Sequence, residues 1–173
     1  EEPLHLLPHN MRKEFEDLLG IKIKGDLCPK CRAKLKEYKE KFGDIGYYNI
    51  PVELFNISRR TMRGIGRFEP ADEKAQDISD ITAKENPAIT YNPNRGFDDP
   101  DAYTLNGAIP RGNRGLVEGV EFVKKGIDPK ILWTFINLNE EGILAVPGSN
   151  MPPIDIDTVV IGHCNIVGFK WFA

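Results

Sequence analysis

The chain has 173 residues, of which 40% are hydrophobic and 28% charged, a composition that predicts one soluble domain with a core of its own. Its 23 lysines and arginines against 26 aspartates and glutamates give a net charge of −3, which argues against a nucleic-acid or membrane surface as the main partner. Without a signal-peptide or transmembrane pattern, and with only three cysteines, the sequence favours the reducing cytoplasm over a disulfide-linked secreted class.

The first quarter of the sequence predicts two helices. Residues 1–8 indicate an extended segment, and Asn10 is the predicted N-cap of a helix that ends at Gly20. Its apolar residues recur at helical spacing and form one face. A second helix, rich in charge, is predicted to run to Phe42 and to end at Gly43.

A cysteine pair precedes the second helix. Cys28 and Cys31 have the C-x-x-C spacing with which two thiolates bind one Zn²⁺, and His5 and His9 are candidates for the other two ligands. One C-x-x-C is only half of such a site, so a pair of unmetallated thiols is the alternative. Redox chemistry is less favoured, because no thioredoxin-like pattern surrounds the pair.

The middle of the chain predicts a strand, a short helix and a long loop. A strand is predicted over 52–58, and a helix over 72–82, where Asp77 is a candidate cap. Residues 83–106 are rich in Pro, Asn, Asp and Gly and predict a loop. Loops of this length in compact domains are usually functional or mobile.

The last third contains the most regular helix signal. Asp128 is a predicted N-cap and Pro129 stands at the first helical position. A hairpin is predicted from 142–146 and 154–156 around the turn residues 147–150. The predicted apolar face of the helix comprises Ile131, Leu132, Phe135 and Ile136.

Two apolar runs, 113–121 and 158–165, end abruptly at Glu121 and Asn165. Buried parallel strands have this pattern, since helices cover both faces and the carboxyl ends meet a ligand crevice. A carboxylate that polarises water and an amide that contacts a terminal phosphate suit nucleotide hydrolysis. The alternative is that each strand ends where the core ends. Beside them, His163 is predicted as a core histidine, with a residue that lines the site as the alternative, and Cys164 as a small buried hydrophobe rather than a nucleophile.

Further motifs occur in a fixed order along most of the chain. They are EPLHL (2–6), GDLCPKCR (25–32), GIGRFEPAD (64–72), QDI (76–78), DPDAY (99–103), NRGL (113–116) with Glu121, and HCN (163–165). Together they resemble the AAA+ domain of the bacterial PrkA-type family, described as serine protein kinases with an AAA+ ATPase module.

The resemblance implies roles for the two strand ends. Residues 116–121 would be the Walker B strand, with Glu121 activating water, and Asn165 would be the sensor 1 residue. ATP with Mg²⁺ would be the cofactor, and a protein substrate or neighbouring subunits of a homo-oligomer the partners. Arg111 and Arg114 flank the Walker B-like strand; either would serve as an arginine finger or, alternatively, in a structural ion pair.

The sequence also departs from the family pattern. Val120 stands where an AAA+ ATPase has the Mg²⁺-binding Asp, Gly119 replaces a bulky apolar residue, and 166–168 lack the usual acidic residue. No G-x-x-x-x-G-K-[ST] loop occurs, so nothing in this sequence cradles phosphates. We therefore expect the middle of a longer protein or a divergent remnant.

The fold expected is α/β, a mostly parallel P-loop AAA+ sheet that forms part of a domain. Residues 1–49 would be a helical insertion with the C-x-x-C, and 50–173 the AAA+ core portion.

The resemblance implies that the chain is part of an ATP-hydrolysing module. The output would be serine or threonine phosphorylation by a kinase-like region that follows it. No H-R-D or D-F-G element is present. The alternatives are a non-catalytic scaffold or regulatory fragment, and a small zinc-binding interaction module.

Overall fold

The computed structural model describes residues 3–23, 25–43, 54, 56–70, 76–121, 123 and 126–172. The chain divides into two compact units, Glu1–Leu54 and Phe55–Ala173. The predicted domain boundary after residue 49 lies outside the described residues. Within them, no helix has the length and apolar character needed to cross a membrane.

The first unit contains a 3₁₀ helix, Pro3–Leu6, and two α-helices, α1 (His9–Leu19) and α2 (Pro29–Phe42). The prediction of an extended segment over 1–8 is therefore wrong for Pro3–Leu6, which form the 3₁₀ helix. Pro8, rather than Asn10, is the N-cap of α1, because proline without an N–H is accommodated where helical donors have no partner. The ends at Gly20, with φ 63°, and at Gly43 are confirmed.

An arginine and an aspartate connect the elements of this unit. The Arg12 guanidinium donates to the carbonyl oxygen of Leu7 at 2.9 Å and to Asp26 Oδ1 at 3.1 Å. Asp26 also accepts from the N–H of Leu27 at 2.7 Å and from Arg32 at 3.3 Å. Burial alone would raise the pKa of Asp26, but these donors together hold it below its ordinary value.

The second unit is built on a parallel sheet of three strands in the order β1, β4, β7. Their bounds are Ile65–Phe68, Leu116–Val120 and Val159–His163. The central strand β4 aligns Val117 with Gly66 on one side and Val160 on the other. This parallel α/β arrangement agrees with the fold class expected from the sequence.

The first strand lies later in the chain than predicted. Of the range 52–58, residues 52, 53 and 55 are not described, and the described ones form no strand beyond one bridge between Ser58 and Arg63. The chain turns between these two residues, with Met62 in the left-handed region at φ 53°. Only after this turn does it enter β1, in the segment noted as a family motif.

Part of the predicted loop over 83–106 is ordered secondary structure, so that prediction is wrong. It contains β2 (Lys84–Glu85), the short helix α3 (Pro87–Thr90) and β3 (Tyr103–Thr104), with β2 and β3 antiparallel. The proline and asparagine that suggested a loop start α3, with Asn86 as N-cap and Pro87 in the first turn. Ala102 and Tyr103 are buried, so this segment contributes to the core.

Two helices pack on one face of the sheet. They are α4 (Ala108–Arg111) and α5 (Pro129–Glu141). A side chain at Gly66 would lie 1.8 Å from the Ala108 carbonyl oxygen, which shows how closely α4 approaches β1. The rings of Phe68 and Phe135 lie 6.4 Å apart, centroid to centroid, and join α5 to the same face.

Helix α5 confirms its predicted start and corrects its predicted face. Asp128 accepts from the N–H of Lys130 at 2.9 Å, as an N-cap does. Ile131 and Phe135 are buried, but Ile136 is 42% exposed. Leu138 takes its place in the core, because it lies three residues after Phe135 on the same helical face.

The hairpin after α5 is confirmed. Strands β5 (Ile143–Leu144) and β6 (Ile154–Asp155) pair antiparallel. The strand that follows, β7, ends two residues before Asn165, and helix α6 (Ile166–Phe172) begins just after that residue. Contrary to expectation, β7 is mostly exposed in the described structure, with Val159 at 62% and Ile161 at 49%, because the described helices cover one face of the sheet.

Candidate functional site

The carboxyl ends of β4 and β7 meet at one edge of the sheet. Val120 and His163 are partners in the parallel register, so Glu121 follows the end of one strand and Asn165 lies two residues beyond the end of its neighbour. Adjacent strands lie about 4.8 Å apart. A side chain at Gly168 would lie 2.5 Å from the Val123 carbonyl oxygen, so α6 packs against the segment that follows β4. The two predicted site residues therefore come from neighbouring, mutually packed segments.

Glu121 has the backbone conformation of a constrained site. Its φ is 48°, in the left-handed region that costs a non-glycine residue about 1–3 kcal/mol. The side chain is exposed, and no group in the described structure forms a hydrogen bond or ion pair with its carboxylate. The carboxylate is thus available to a ligand or a water molecule.

Asn165 is held in a fixed orientation. Its Oδ1 accepts a hydrogen bond from the N–H of Gly168 at 2.6 Å, and its carbonyl oxygen accepts from Phe169 at 3.1 Å. The side chain thus caps the start of α6 through oxygen. The remaining Nδ2 group is the hydrogen-bond donor that a phosphate oxygen requires.

A further charged group, which the sequence reasoning missed, lies on the uncovered face of the sheet. Glu118 lies 3.9 Å from Arg67 Nε and 3.5 Å from His163 Nε2, and Arg67 also pairs with Glu69 at 2.8 Å. These groups connect all three strands. The only sequence signal was a charge within an otherwise apolar strand, and its partners become visible only through the register Arg67↔Glu118.

Two predictions beside the strand end are wrong. His163 is 52% exposed rather than a core histidine, and Cys164 is exposed rather than buried. Both follow from the one-sided cover of the sheet in the described structure, which leaves β7 and the residues after it at the surface.

The two candidate arginines occupy different surroundings. Arg114, with φ 63°, donates to Asp157 Oδ2 at 3.0 Å, and its N–H donates to the Asp157 carbonyl oxygen at 2.7 Å. It lies two residues before the amino end of β4, whose five residues alone span about 16 Å at roughly 3.3 Å per residue, so Arg114 and Glu121 lie at opposite ends of the strand. These bonds favour the structural alternative for Arg114. Arg111 is exposed at the carboxyl end of α4 and lines a cavity.

The four residues of the predicted zinc site belong to the first unit. His5 is buried and His9 exposed, while Cys28 and Cys31 are half-buried at the start of α2. Across the described ranges, no three His, Cys, Asp or Glu side chains group as a metal site requires. Zinc binding by these residues stays a prediction.

Comparison with known proteins identifies relatives of this chain. The chain is 34% identical over 175 residues to the ATP-dependent protease PrkA of Bacillus subtilis (strain 168), covering 99% of this chain and 26% of that protein. It is 38% identical over 107 residues to the serine/threonine kinase YeaG of Escherichia coli (strain K12), covering 62% of this chain and 16% of that protein. The chain therefore spans about a quarter of the length of the first relative. The matched region spans a smaller share of the second. The model of the PrkA AAA domain family matches residues 1–173, and the chain belongs to this family.

Proposed function

We propose that this chain supplies the water-activating and phosphate-sensing portion of an ATP-hydrolysing AAA+ module within a longer protein. The observation that carries the proposal is the meeting of Glu121 and Asn165 at the carboxyl ends of adjacent parallel strands. Ligands of open α/β sheets bind at this edge. The unpaired carboxylate and the oriented amide are the two groups that hydrolysis of a terminal phosphate needs.

In the proposed reaction the Glu121 carboxylate accepts a proton from a water molecule as the water oxygen bonds to the γ-phosphorus. The bond from the γ-phosphorus to the bridging oxygen breaks, and its electron pair leaves with ADP. Asn165 Nδ2 donates to a γ-phosphate oxygen, where negative charge resides throughout the transfer. The products are ADP and phosphate.

The residues present do not fit a complete Mg²⁺ and phosphate site. Val120 offers no ligand beside Glu121, and the sequence holds no phosphate-binding glycine loop with its lysine. We therefore assign no step to the metal and expect the groups that cradle ATP to come from outside these 173 residues.

The output of the whole protein is proposed from its relatives. One is named an ATP-dependent protease and the other a serine/threonine kinase, and both names describe action on proteins. We infer a protein substrate, assembly with further copies of the chain and a cytoplasmic location.

A non-catalytic scaffold is the second candidate. The valine at position 120 favours it, because loss of the metal-binding carboxylate is the change expected of a domain that keeps the fold without turnover. The two candidates differ in one respect: only the enzyme depends on the side-chain chemistry of Glu121 and Asn165.

Asn165→Asp in the full-length protein tests the proposal. Aspartate keeps the oxygen that caps α6 but replaces the Nδ2 donor with a second carboxylate oxygen, which repels a γ-phosphate. We expect ATP turnover to fall about 100-fold with the melting temperature unchanged. Asn94→Asp makes the same chemical change in an exposed loop and should leave turnover as in the unmodified protein. Full turnover by Asn165→Asp would leave the amide with a capping role only.

A further inference from the structure

A cavity of about 470 Å³ lies at the carboxyl end of β1, and neither Glu121 nor Asn165 lines it. This volume is within the range of about 300–1,000 Å³ typical of small-molecule sites. Its polar walls include Arg67, Glu69, Asp80, Lys84, Asn106 and Arg111. Four elements of the second unit and the residues next to them supply these walls: the end of β1, the 3₁₀ turn Ile78–Asp80, β2, and α4 with the segment before it.

Close backbone contacts hold these walls in place. A side chain at Gly66 would collide with the Ala108 carbonyl oxygen, and one at Gly107 would lie 2.3 Å from the Thr82 carbonyl oxygen. The N–H of Gly107 donates to that Thr82 oxygen at 3.0 Å, and the N–H of Ile109 donates to the Ile81 carbonyl oxygen, also at 3.0 Å. Helix α4 is thereby fixed against both neighbouring elements, so the cavity is a preformed feature of the unit.

Among the described residues that line the cavity, one cationic side chain has no counterion. Arg67 pairs with Glu69 at 2.8 Å, and Lys84 pairs with Asp80 at 3.3 Å. Within the described structure the Arg111 guanidinium has no hydrogen-bond or ion-pair partner. Of the cavity-lining residues that the structure describes, three side chains are therefore cationic and two anionic, an excess of one positive charge. A monoanion balances this excess, whereas a dianionic phosphate would exceed it beside two carboxylates.

Asn106, one of the residues of the cavity wall, has an unsatisfied hydrogen-bond acceptor. Asn106 Oδ1 is buried and accepts no hydrogen bond from the described residues. A buried acceptor without a donor costs about 1–3 kcal/mol. A ligand that relieves this cost carries an N–H or O–H donor near its negative charge.

From these observations we infer that the cavity binds a carboxylate with a neighbouring amide N–H, which is the chemistry of a residue in a polypeptide. The carboxylate pairs with Arg111 and the N–H donates to Asn106 Oδ1. Both a peptide's C-terminal residue and an internal aspartate or glutamate offer this combination.

Ligand-observed NMR titration of the full-length protein tests the inference and separates the two sources. The probes are acetyl-Ala-Ala-Ala with a free C-terminal acid, its C-terminal amide, acetyl-Ala-Glu-Ala amide, acetyl-Ala-Gln-Ala amide and inorganic phosphate. Binding of the free acid and not of its amide assigns the terminal carboxylate. Binding of the glutamate peptide and not of the glutamine peptide assigns the side-chain carboxylate. Binding of neither acid, equal binding of acid and amide forms, or binding of phosphate in preference to both acids overturns the inference.

Variants connect the binding to the cavity. Arg111→Gln should raise the dissociation constant of the bound probe at least tenfold, while Arg111→Lys, which keeps the charge, should stay within about threefold. Asn106→Asp, which places a like charge beside the carboxylate, should also weaken binding at least tenfold. Lys130→Gln removes one positive charge from the exposed surface of α5 and should change nothing. Unaltered binding by both cavity variants would overturn the inference.

Discussion

At the scale of single residues, two strained backbone conformations occur in different surroundings. Glu121 and Arg114 both have positive φ, a conformation that persists only where the surroundings enforce it. For Arg114 the reason is structural, since its backbone and side chain both bond to Asp157. For Glu121 no such bond exists within the described residues, and the strained conformation is the feature expected of a residue kept for its chemistry.

At the same scale, Asp77 shows how one carboxylate links stability to pH. The Ser79 N–H, which donates to Asp77 Oδ1 at 2.9 Å, lowers the pKa of Asp77 below its ordinary 3.8. A lowered pKa in the folded state means that the stabilisation is fully present above the unfolded pKa and is lost as the pH falls through the folded one. Asp77→Ala should lower the free energy of unfolding by about 1 kcal/mol at pH 7.

Urea unfolding at several pH values measures the free energy of unfolding of both proteins. The difference between the unmodified protein and Asp77→Ala should shrink below about pH 4. Asp98→Ala, an exposed loop carboxylate that caps no helix in the described structure, is the matched control. A difference that stays constant from pH 7 to pH 3 would show that ionised Asp77 does not cap the turn.

At the scale of elements, the features predicted correctly are those that depend on residues close together in the sequence. Asp128 and Pro129 predicted the start of α5, because N-capping depends on a few neighbouring residues. The hairpin after it was predicted for the same reason.

Two predictions were wrong for the opposite reason. The first strand begins later than predicted, and the segment over 83–106 is not the predicted loop, because the structure of both depends on partners distant in sequence, such as β4 for β1. The candidate site was predicted at both strand ends, but the contacts of Glu118 required the sheet register.

The contact between α4 and β1 provides a test at this scale. Gly66→Ala places a methyl group where the Ala108 carbonyl oxygen already lies, so the two elements have to separate. We expect a loss of stability of about 1–3 kcal/mol or more, measured by chemical unfolding. Gly148→Ala, at an open turn with nothing within 4 Å, is the control, and its φ of 75° means that its loss reflects backbone strain alone. A loss for Gly66→Ala no larger than that for Gly148→Ala would contradict the close packing described here.

For the molecule as a whole, the first unit carries a separate prediction. If Cys28 and Cys31 bind zinc with histidine ligands, protein purified without added metal should contain close to one equivalent, and Cys28→Ser should lose it. Cys164→Ser removes an exposed thiol in the second unit and should keep the metal. Metal content below about one tenth of an equivalent in the unmodified protein would show that the pair is unmetallated.

Our central proposal concerns the second unit. We propose that its parallel sheet, of the PrkA AAA family, positions Glu121 as a catalytic carboxylate. The most direct measurement is ATP binding and turnover by the full-length protein and its Glu121→Gln variant, with Glu140→Gln, an exposed glutamate of α5, as control. Glutamine keeps the size of the side chain but cannot take the proton from water. We predict that Glu121→Gln binds ATP with unchanged affinity and loses turnover at least 100-fold, while Glu140→Gln is unaffected. Turnover preserved in Glu121→Gln, or no ATP binding by the full-length protein, would contradict the account and favour the scaffold.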